Sequence, residues 1–556
     1  MLQFAPGATD HHIPRPRHRF FIVLTLVGLA ALMAATPSTA TTFIVHPDGS
    51  GEYPTIQAAI NAATDGDIIE LTNGLYVGAG NRDINPGSKT LTVRSASGEA
   101  SACVIQCDGS AGSAHRGFRF NSGTDADFLI SGITITGGYS APNGGAVYCS
   151  NQSSPTFEHC VFEANVASEN GGAVYCSGNA RPVFRDCSFL ENSGSYYGGA
   201  VRAIYGSPSF YRCHFELNQC HNGGALSYYR NGSPEIIDCT FSQNSATRGG
   251  GIFIYSCVAL VSGCTFTENS CLAEGGGIVN VEAELTVNSS VFQGNHAHEY
   301  GGGISTGGIG WLRVDDCLFI GNSSLRGGAV NAQYSELELT SSTLVGNRGD
   351  MQGSSITIVY SSASIDRAII TGGLITSAVF CEEPGFSPSV NCTDIHGHAA
   401  GDWTGCLEGL LGTSGNIAQD PWFCDADNDI YTLHAQSPCA TSPCGLMGSE
   451  PVDCDDPTGL PIAQHHGVLL PAYPNPGSGG TNLAWRLPQG GNGIVEVFNL
   501  AGQRVWQRSL AAEGGPGTLH WSGCDQQGQK VGAGVYLVRL LVNGTVIGRQ
   551  PLILLR

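Results

Sequence analysis

The 556-residue chain has little charge and almost no lysine. Charged residues make up 13% of it, and the lysines are Lys89 and Lys530. The formal net charge is nevertheless −21. Because nucleic-acid phosphates are bound by clustered cations, this acidic and lysine-poor chain is not expected to bind nucleic acid. The acidity instead predicts a solvated, self-repelling and soluble surface.

Long hydrophobic runs are missing after the first forty residues, so no membrane-spanning helix is expected in the mature chain. One apolar run covers 20–35 and is shorter than the roughly 20 residues that span a bilayer. Three arginines at 15–19 precede it and small residues at 38–40 follow it. This pattern is typical of a signal peptide at 1–40 that is cleaved after Ala40. It predicts an exported protein that is secreted or lies at the cell surface or outer membrane. An uncleaved anchor is the alternative.

Export makes disulfide bonds possible. The chain has 21 cysteines, an odd number, so at least one thiol is left over if all others pair. The close pairs Cys103/Cys107 and Cys439/Cys444 are candidate disulfides. A second group of candidates comprises Cys381, Cys392, Cys406 and Cys424.

Glycine is abundant, with 78 residues, and it falls in regular clusters. A Gly-Gly-(Ala/Gly)-(Val/Ile/Leu) motif recurs every 25 to 27 residues. Its copies begin at Gly144, Gly171, Gly198, Gly223, Gly249, Gly275, Gly301 and Gly327. Such regularity indicates a stacked repeat, and paired glycines predict a tight turn close to the neighbouring repeat.

A second motif, Phe-x-x-Asn, keeps the same period. Its first positions are Phe162, Phe189, Phe215, Phe241, Phe266, Phe292, Phe319 and Leu344, and its last are Asn165, Asn192, Asn218, Asn244, Asn269, Asn295, Asn322 and Asn347. Helical repeats need good helix formers and leucine-rich repeats need a leucine frame, and neither is present. Each repeat therefore predicts one coil of a right-handed parallel β-helix. The Phe side chains would stack inside, and the Asn side chains would bond to one another at left-handed turns.

Cysteines stand two residues before most of these Phe positions. They are Cys160, Cys187, Cys213, Cys239, Cys264 and Cys317, with Ser290 and Ser342 in the other copies. On a strand this spacing places Cys and Phe on the same, inner face. We interpret the column, together with Cys149 and Cys176, as buried small side chains; a metal or redox column is the alternative.

Less regular strands before and after the repeats extend the solenoid to about twelve coils, covering 41–452. A helix at Thr55–Ala63, with Ile56, Ala59 and Ile60 on one face, is expected to cap the first coil. A polar linker is expected at 453–469.

The segments Asp48–Ile60, 66–69 and 74–76 resemble the start of pectin-lyase-like β-helix proteins, pectin methylesterases included. The Gly-Gly-Ala-Val and Phe-x-x-Asn repeats resemble the polymorphic outer membrane protein repeat of bacterial surface proteins. Both resemblances imply the fold across about 42–350, and that superfamily includes both enzymes and adhesins. Segments at 416–423, 431–433 and 437–439 resemble a closing coil.

From 470 to 556 the sequence predicts a small antiparallel sandwich, with a hairpin turn at Asn543-Gly544. The predicted strands are 482–487, 493–498, 503–509, 518–521, 534–542 and 545–554. Motifs at 473–476, 500–505, 520–525 and 532–537 resemble the sorting domain of the type IX secretion system and the Ig-like domain of flagellar hook-capping proteins. This resemblance implies secretion machinery as a partner. Sorting domains usually carry lysine before a short apolar tail, whereas here Arg549-Gln550-Pro551 precedes the tail, so a plain Ig-like appendage is the alternative.

Glycoside hydrolysis needs two carboxylates about 5–10 Å apart on one face. The candidates are Asp186, Asp238, Asp315 and Asp316. Three of them hold one repeat position before the cysteine column, which predicts an exposed acidic stripe. Lyases need a cation and a basic residue, and lysine is absent from the repeats. We therefore assign no catalytic residue and expect a non-enzymatic binding, adhesion or structural protein. A polysaccharide-active lyase, hydrolase or esterase is the alternative.

Other polar clusters predict loops. Asp425, Asp427 and Asp429 lack the turn glycine and distal Glu of an EF-hand. The histidine pairs His296/His298, His396/His398 and His465/His466 lack a third spaced ligand. No metal or cofactor is assigned. Six tyrosines are expected to be exposed and able to stack on a polysaccharide or another cell-surface ligand, namely Tyr148, Tyr175, Tyr196, Tyr197, Tyr228 and Tyr229.

Overall fold

A computed structural model describes residues 40–140, 142–373, 375–382, 387–454, 468–473, 477–478, 481–487, 493–499, 503–510, 515–542 and 545–555. The predicted signal peptide, most of the predicted linker with His465 and His466, and the Asn543-Gly544 turn lie outside these residues. The described part is almost entirely β, as predicted.

Three long parallel sheets form a solenoid. The first sheet contains Thr42–Val45, Ile68–Leu71, Thr92–Ser95, Leu129–Ser131, Thr156–Glu158, Val183–Arg185, Ser209–Tyr211, Glu235–Ile237, Val258–Ser262, Glu284–Asn288, Trp311–Asp315, Glu336–Thr340, Ser362–Asp366 and Ser389–Asn391. The second sheet contains Gly74–Tyr76, Cys103–Gln106, Thr134–Thr136, Val161–Glu163, Ser188–Leu190, His214–Glu216, Thr240–Ser242, Thr265–Thr267, Val291–Gln293, Leu318–Ile320, Thr343–Val345, Ile369–Thr371 and Asp394–His396. The third sheet contains Phe118–Phe120, Val147–Cys149, Val174–Ser177, Val201–Ile204, Leu226–Tyr229, Ile252–Tyr255, Ile278–Val281, Ile304–Gly307, Val330–Gln333, Ile356–Val359 and Val379–Cys381.

Short strands lie between the second and third sheets in most regular coils, and in the coil of His214–Glu216 isolated bridges at Gln219 take the place of a strand. The short strands are Tyr139–Ser140, Val166–Ala167, Ser193–Gly194, Ser245–Ala246, Ser270–Cys271, His296–Ala297, Ser323–Arg326 and Arg348–Gln352. Equivalent residues of successive coils are paired in register, so Phe162 lies beside Phe189 and Val174 beside Val201. The predicted period of one coil per repeat is therefore confirmed.

The predicted aromatic column fills the interior. From Phe162 to Phe319 the ring centroids of successive coils lie 4.6 to 4.8 Å apart, and all these side chains are buried. A second stack on the first sheet, Phe157, Phe184 and Phe210, packs edge-on against it. Fully buried aromatic rings contribute large apolar areas to the core, so each coil is stabilised by its neighbours.

The asparagine column also forms, although not by the predicted backbone geometry. Asn244 donates from its backbone N and its Nδ2 to Oδ1 of Asn269, and its own Oδ1 accepts the same two bonds from Asn218. The left-handed residue is the one before each Asn, such as Gln243 with φ 54°. The Asn side chain points inward to satisfy buried main-chain groups, and the preceding exposed residue makes the turn.

The two glycines of each pair are required for different reasons. Gly275 has φ 69°, a left-handed conformation that disfavours other residues. Gly276 needs no such conformation, but a Cβ there would overlap the carbonyl oxygen of Gly302 in the next coil. The pair therefore provides both the turn and the close approach of adjacent coils.

The cysteine column is buried and free of disulfides. Its members lie at the corner between the first and second sheets. Each stands directly before a strand of the second sheet, and not within that strand as the sequence predicted. Cys160 donates from Sγ to the carbonyl oxygen of Glu158, 3.3 Å away. Ser290 makes the equivalent bond to Asn288. Both side chains are small and donate to the carbonyl oxygen two residues earlier, which explains why either Cys or Ser occurs at this position.

The only α-helix among the described residues is Ile56–Ala62, and short 3-10 helices cover Ala100–Ala102, Gly405–Leu407 and Ala426–Asn428. Thr55 accepts a bond from Ala58 N at the helix start, and Ile56, Ala59 and Ile60 are buried. Lys89 donates to three carbonyl oxygens at the helix end. The helix packs beside Thr42–Val45 and Ile68–Leu71, the first strands of the first sheet.

Residues 387–454, hereafter the closing segment, contain five of the six cysteines that form three disulfides, and the sixth is Cys381. All four cysteines of the second predicted group, whose pairing the sequence left open, take part. The bonds are Cys381–Cys406, Cys392–Cys444 and Cys424–Cys454. Cys103, Cys107 and Cys439 are free thiols, so both close pairs were wrong. Cysteines that are close in sequence need not bond to each other, because a solenoid brings together residues about one coil apart.

The predicted closing coil is also replaced by a different arrangement. After Ile417 pairs with Asp394, the strands Phe423–Asp425, Ile430–His434 and Val452–Cys454 form a separate small sheet. Asp429 accepts a bond from Gln293, and Thr343 Oγ1 accepts one from Ser449 N. The closing segment thus runs back along the second sheet.

Beyond the closing segment, strands occur where the sequence predicted them. One sheet contains Val468–Tyr473, Thr481–Leu487 and Gly515–Trp521, and another contains Gly477–Ser478, Gly493–Asn499, Arg504–Ser509, Gly534–Val542 and Thr545–Leu555. Leu483 and Trp521 of the former share a core with Val497, Val538 and Leu552 of the latter.

Candidate functional site

Charge is distributed unevenly between the outer faces of the solenoid. The outer face of the first sheet contains Glu70, Glu158, Glu235, Glu284, Asp315, Glu336, Glu338 and Asp366. The described strands of the third sheet carry no Asp or Glu. In a chain with net charge −21, this difference leaves the third sheet and the short strands beside it as the least acidic side of the solenoid.

A groove of about 810 Å³ runs along the short strands. Its lining residues come from seven successive coils, from Tyr139 to His296, which corresponds to roughly 29 Å at the spacing of parallel strands. The first residue of each short strand points outward, and in-register pairing repeats that position once per coil, as in Ser245, Ser270 and His296. The groove is therefore a direct product of the repeat.

Side chains that form hydrogen bonds line most of this groove. They are Ser168, Ser193, Ser195, Gln219, Ser245, Thr247, Ser270, His296 and His298. The remaining lining residues are apolar or small, namely Tyr139, Val166, Ala167, Gly194, Cys220, Ala246, Cys271 and Leu272. Among the described residues that line the groove there is no Asp, Glu, Lys or Arg. Burial raises the pKa of Cys220 and of Cys271 to about 12, so both thiols are protonated at neutral pH.

The candidate aspartates lie at the opposite corner, between the first and second sheets. Asp186, Asp238 and Asp316 have left-handed backbones, and His159 and Arg212 hold the same corner position in other coils. Asp238 and Asp316 are exposed, as predicted, but the stripe is not purely acidic, and what its members share is a left-handed backbone. Arg212 lies between Asp186 and Asp238 and forms an ion pair with Asp186 at 2.7 Å, which lowers the pKa of that carboxyl.

The remaining aspartates are held by neutral partners. Asp316 accepts a bond from Ser289 Oγ, and Asp315 accepts one from Thr340 Oγ1. Asp425 accepts a bond from Asn428, while Asp429 accepts bonds from Gln293 and Tyr431. These contacts are those of polar turns.

The histidine pairs occupy different environments. His296 and His298 line the groove, and His296 Nδ1 lies 3.0 Å from Ser323 Oγ. His398 is buried beside Asp402, and its Nε2 has no hydrogen-bond partner. Burial lowers the pKa of His398 despite the neighbouring carboxylate. Within the described ranges, no cluster of three His, Cys, Asp or Glu side chains is arranged to hold a metal ion.

The tyrosines are less exposed than the sequence predicted. Tyr148 stacks on Tyr175 with centroids 5.5 Å apart, and Tyr175 is only 8% exposed. Tyr228 is buried and donates to the carbonyl oxygen of Pro208. Tyr196 is 55% exposed, as expected. The groove was not predicted from the sequence, although the serine-rich positions of its lining repeat with the same period as the glycines.

Comparison with known families agrees with this geometry. A family model described as a right handed beta helix region matches residues 115–288, and one described as a Chlamydia polymorphic membrane protein repeat matches 289–307. The solenoid is therefore a right-handed β-helix that includes one stretch, 289–307, similar to the polymorphic membrane protein repeat. No curated protein gives a significant match. In the described residues, no helix has the length and apolar character needed to cross a membrane.

Similarity to solved structures is weak. Dimeric latent PorU from Porphyromonas gingivalis is 23% identical over 19% of this chain, with a TM-score of 0.15, and the match covers 10% of PorU. The tailspike protein gp49 from Acinetobacter baumannii bacteriophage Fri1, a capsular polysaccharide depolymerase, is 11% identical over 87% of this chain and 77% of its own, with a TM-score of 0.20. Scores this low support no functional argument.

Proposed function

We propose that this protein is an exported β-helix whose groove binds a neutral, linear polysaccharide without cleaving it. The observation that carries the proposal is the uncharged, hydroxyl-rich lining repeated over seven coils. Sugar hydroxyls both donate and accept hydrogen bonds, as do Ser, Thr, Gln and His side chains. A long open groove with one polar position per coil suits an extended chain better than a compact ligand.

The same lining argues against hydrolysis in the groove. A glycosidase needs a proton donor and a second carboxylate near the scissile bond, and the described lining residues provide neither. Asp186, Asp315 and Asp316 lie at or beside another corner and are bonded to arginine or hydroxyl groups. The groove is thus suited to binding.

Export and surface location are part of this proposal. The polymorphic membrane protein repeat, the predicted signal peptide and the resemblance of 470–556 to a sorting domain all support it. The helix Ile56–Ala62 would cap the first coil. The two C-terminal sheets would form an Ig-like sandwich that serves as a secretion signal or attaches the protein to the cell surface. Mass spectrometry of the mature protein tests this part, because it locates both termini in the cell-bound and released fractions.

Binding is tested with the full-length chain against neutral and acidic polysaccharides by calorimetry. We expect saturable binding to a neutral glycan that Ser245→Trp, in the middle of the groove, weakens at least tenfold. Ser362→Trp is the matched control, because Ser362 is exposed on the outer face of the first sheet. Equal weakening by both variants, or no binding to any neutral glycan, would refute the groove proposal.

Turnover is measured on the same polysaccharides as reducing-end release. We expect no release. Release that Asp316→Asn abolishes would overturn the non-enzymatic assignment and favour a polysaccharide-active enzyme.

A further inference from the structure

Arg202 is a buried cation without an acidic partner. It is 3% exposed, and it is the only buried arginine among those whose side chains the structure describes. Its guanidinium carries five N–H donors, yet one hydrogen bond is formed, from Nη1 to Ser227 Oγ at 2.6 Å. Its Nε has no partner. Because burying an uncompensated charge is strongly unfavourable, a group that the protein does not itself supply is expected to complete this environment.

Aromatic rings surround the guanidinium. Arg202 Cζ lies 4.2 Å from the centroid of Tyr197 and 5.3 Å from that of Tyr229. Such contacts attract the cation but supply no negative charge. Burial lowers the pKa of Arg202 to about 10, so the group remains charged at neutral pH. Arg248, which is half-buried, differs from Arg202 in being paired with Glu274.

We infer that Arg202 is the base of an oxyanion-binding site that the ring of Tyr197 closes in this structure. The ligand class is a carboxylate, sulfate or phosphate group, because these groups match the paired N–H donors of a guanidinium. The third sheet, on which Arg202 lies, carries no Asp or Glu in its described strands.

The site is next to the groove. Ser195 lines the groove, and Tyr197, two residues later, covers Arg202. Cys220 also lines the groove and lies close enough to Arg202 to influence its pKa. The oxyanion is therefore either a free ion or an acidic substituent on a ligand held in the groove. The inference rests on Arg202 alone and stands whether or not the groove binds neutral glycan.

The test is thermal unfolding of the full-length chain in sodium sulfate and sodium phosphate, with sodium chloride at equal ionic strength as reference. We expect a saturable rise in Tm of a few degrees that Arg202→Met removes. Arg212→Met is the control, because Arg212 is exposed and already paired with Asp186. General stabilisation by sulfate is not saturable and is equal in all variants, so it does not imitate this result.

A parallel arm compares dextran with sulfated dextran. Tighter binding of the sulfated chain, lost in Arg202→Met and kept in Arg212→Met, would identify a substituent as the source of the oxyanion. If Arg202→Met fails to fold, Arg202→Lys replaces it and is expected to bind more weakly than the native protein. The same non-saturable rise of Tm in sulfate for the native protein and for Arg202→Met, together with equal affinity for both dextrans, would overturn the site.

Discussion

The regular coils, 144–350, and the closing segment are stabilised by different means. In the regular coils the Phe and Asn residues of the repeat motif contact their equivalents one coil away, and no disulfide is present among the described residues there. The closing segment has no such columns and contains cysteines of three disulfides. Repetition lets one favourable contact recur in each coil, and covalent links are found where repetition ends.

The groove and the closing segment also depend on different features of the chain. The groove depends on register between coils, so it exists only where the repeat is regular. The closing segment, by contrast, returns along the second sheet and protects that end of the solenoid. Changes in the two regions are therefore expected to have separable effects.

The largest effect is expected from Gly276→Ala in the regular coils. The added Cβ would overlap backbone atoms of Gly302 and His296, which cannot move without breaking register. We expect a loss above about 4 kcal/mol in the free energy of unfolding, measured by urea denaturation. Gly277→Ala is the matched control, because Ala173 and Ala225 occupy its position in other coils, and about 1 kcal/mol is expected. Equal losses for the two variants would contradict the close-approach role of Gly276.

Asn244→Ala is expected to cost about 3 kcal/mol. It removes the acceptor of two bonds from Asn218 and the donor to the carbonyl oxygen of Phe215, all in the buried interior. Gln243→Asn, at the exposed left-handed position, should change the free energy of unfolding by less than about 0.5 kcal/mol. A smaller effect for Asn244 than for Gln243 would show that the column is not a stabilising element.

Removing the Cys392–Cys444 bond by Cys392→Ser and Cys444→Ser is expected to cost about 2–3 kcal/mol in the closing segment alone. Hydrogen exchange should rise at 387–454 and stay unchanged in the regular coils. Cys239→Ser is the control, since Ser290 already fills the equivalent position, and its effect should be below about 1 kcal/mol. Faster exchange throughout the coils would contradict the separation of the two regions.

The smallest effect is a pH dependence from His398 in the closing segment. Burial lowers its pKa in the folded state, so the unfolded chain binds the proton first. Stability is fully present above about pH 6.5 and falls as the pH decreases, by at most about 1.4 kcal/mol per pH unit. His398→Gln should flatten the profile of thermal unfolding between pH 7 and 5. An unchanged profile would show that another group titrates.

The sequence predicted those features that repetition imposes. The spacings of Gly276, Phe241 and Asn244 each recur once per coil, so the coil, the aromatic stack and the asparagine column followed directly. The disulfide of Cys392 did not, because its partner Cys444 is chosen by the path of a non-repeating segment.

The groove and the exposure of side chains needed coordinates. Tyr228 and Tyr229 are neighbours, yet Tyr228 points inward, in the column of Cys149 and Cys176, and Tyr229 points outward. Strand alternation separates them, although both were predicted to be exposed. The corner aspartates were misread as a charge pattern because the sequence does not reveal that Asp186 and Arg212 share a left-handed backbone position. Backbone conformation and the order of faces around a coil are set by the whole coil.

The most direct test of the account is a crystal structure of the full-length chain. It should place the eight asparagines from Asn165 to Asn347 in one column, each about 4.8 Å from the next, with the uncharged groove on the adjoining face. Asparagines at unequal distances, or on different faces of the molecule, would contradict the coil assignment and the binding surface derived from it.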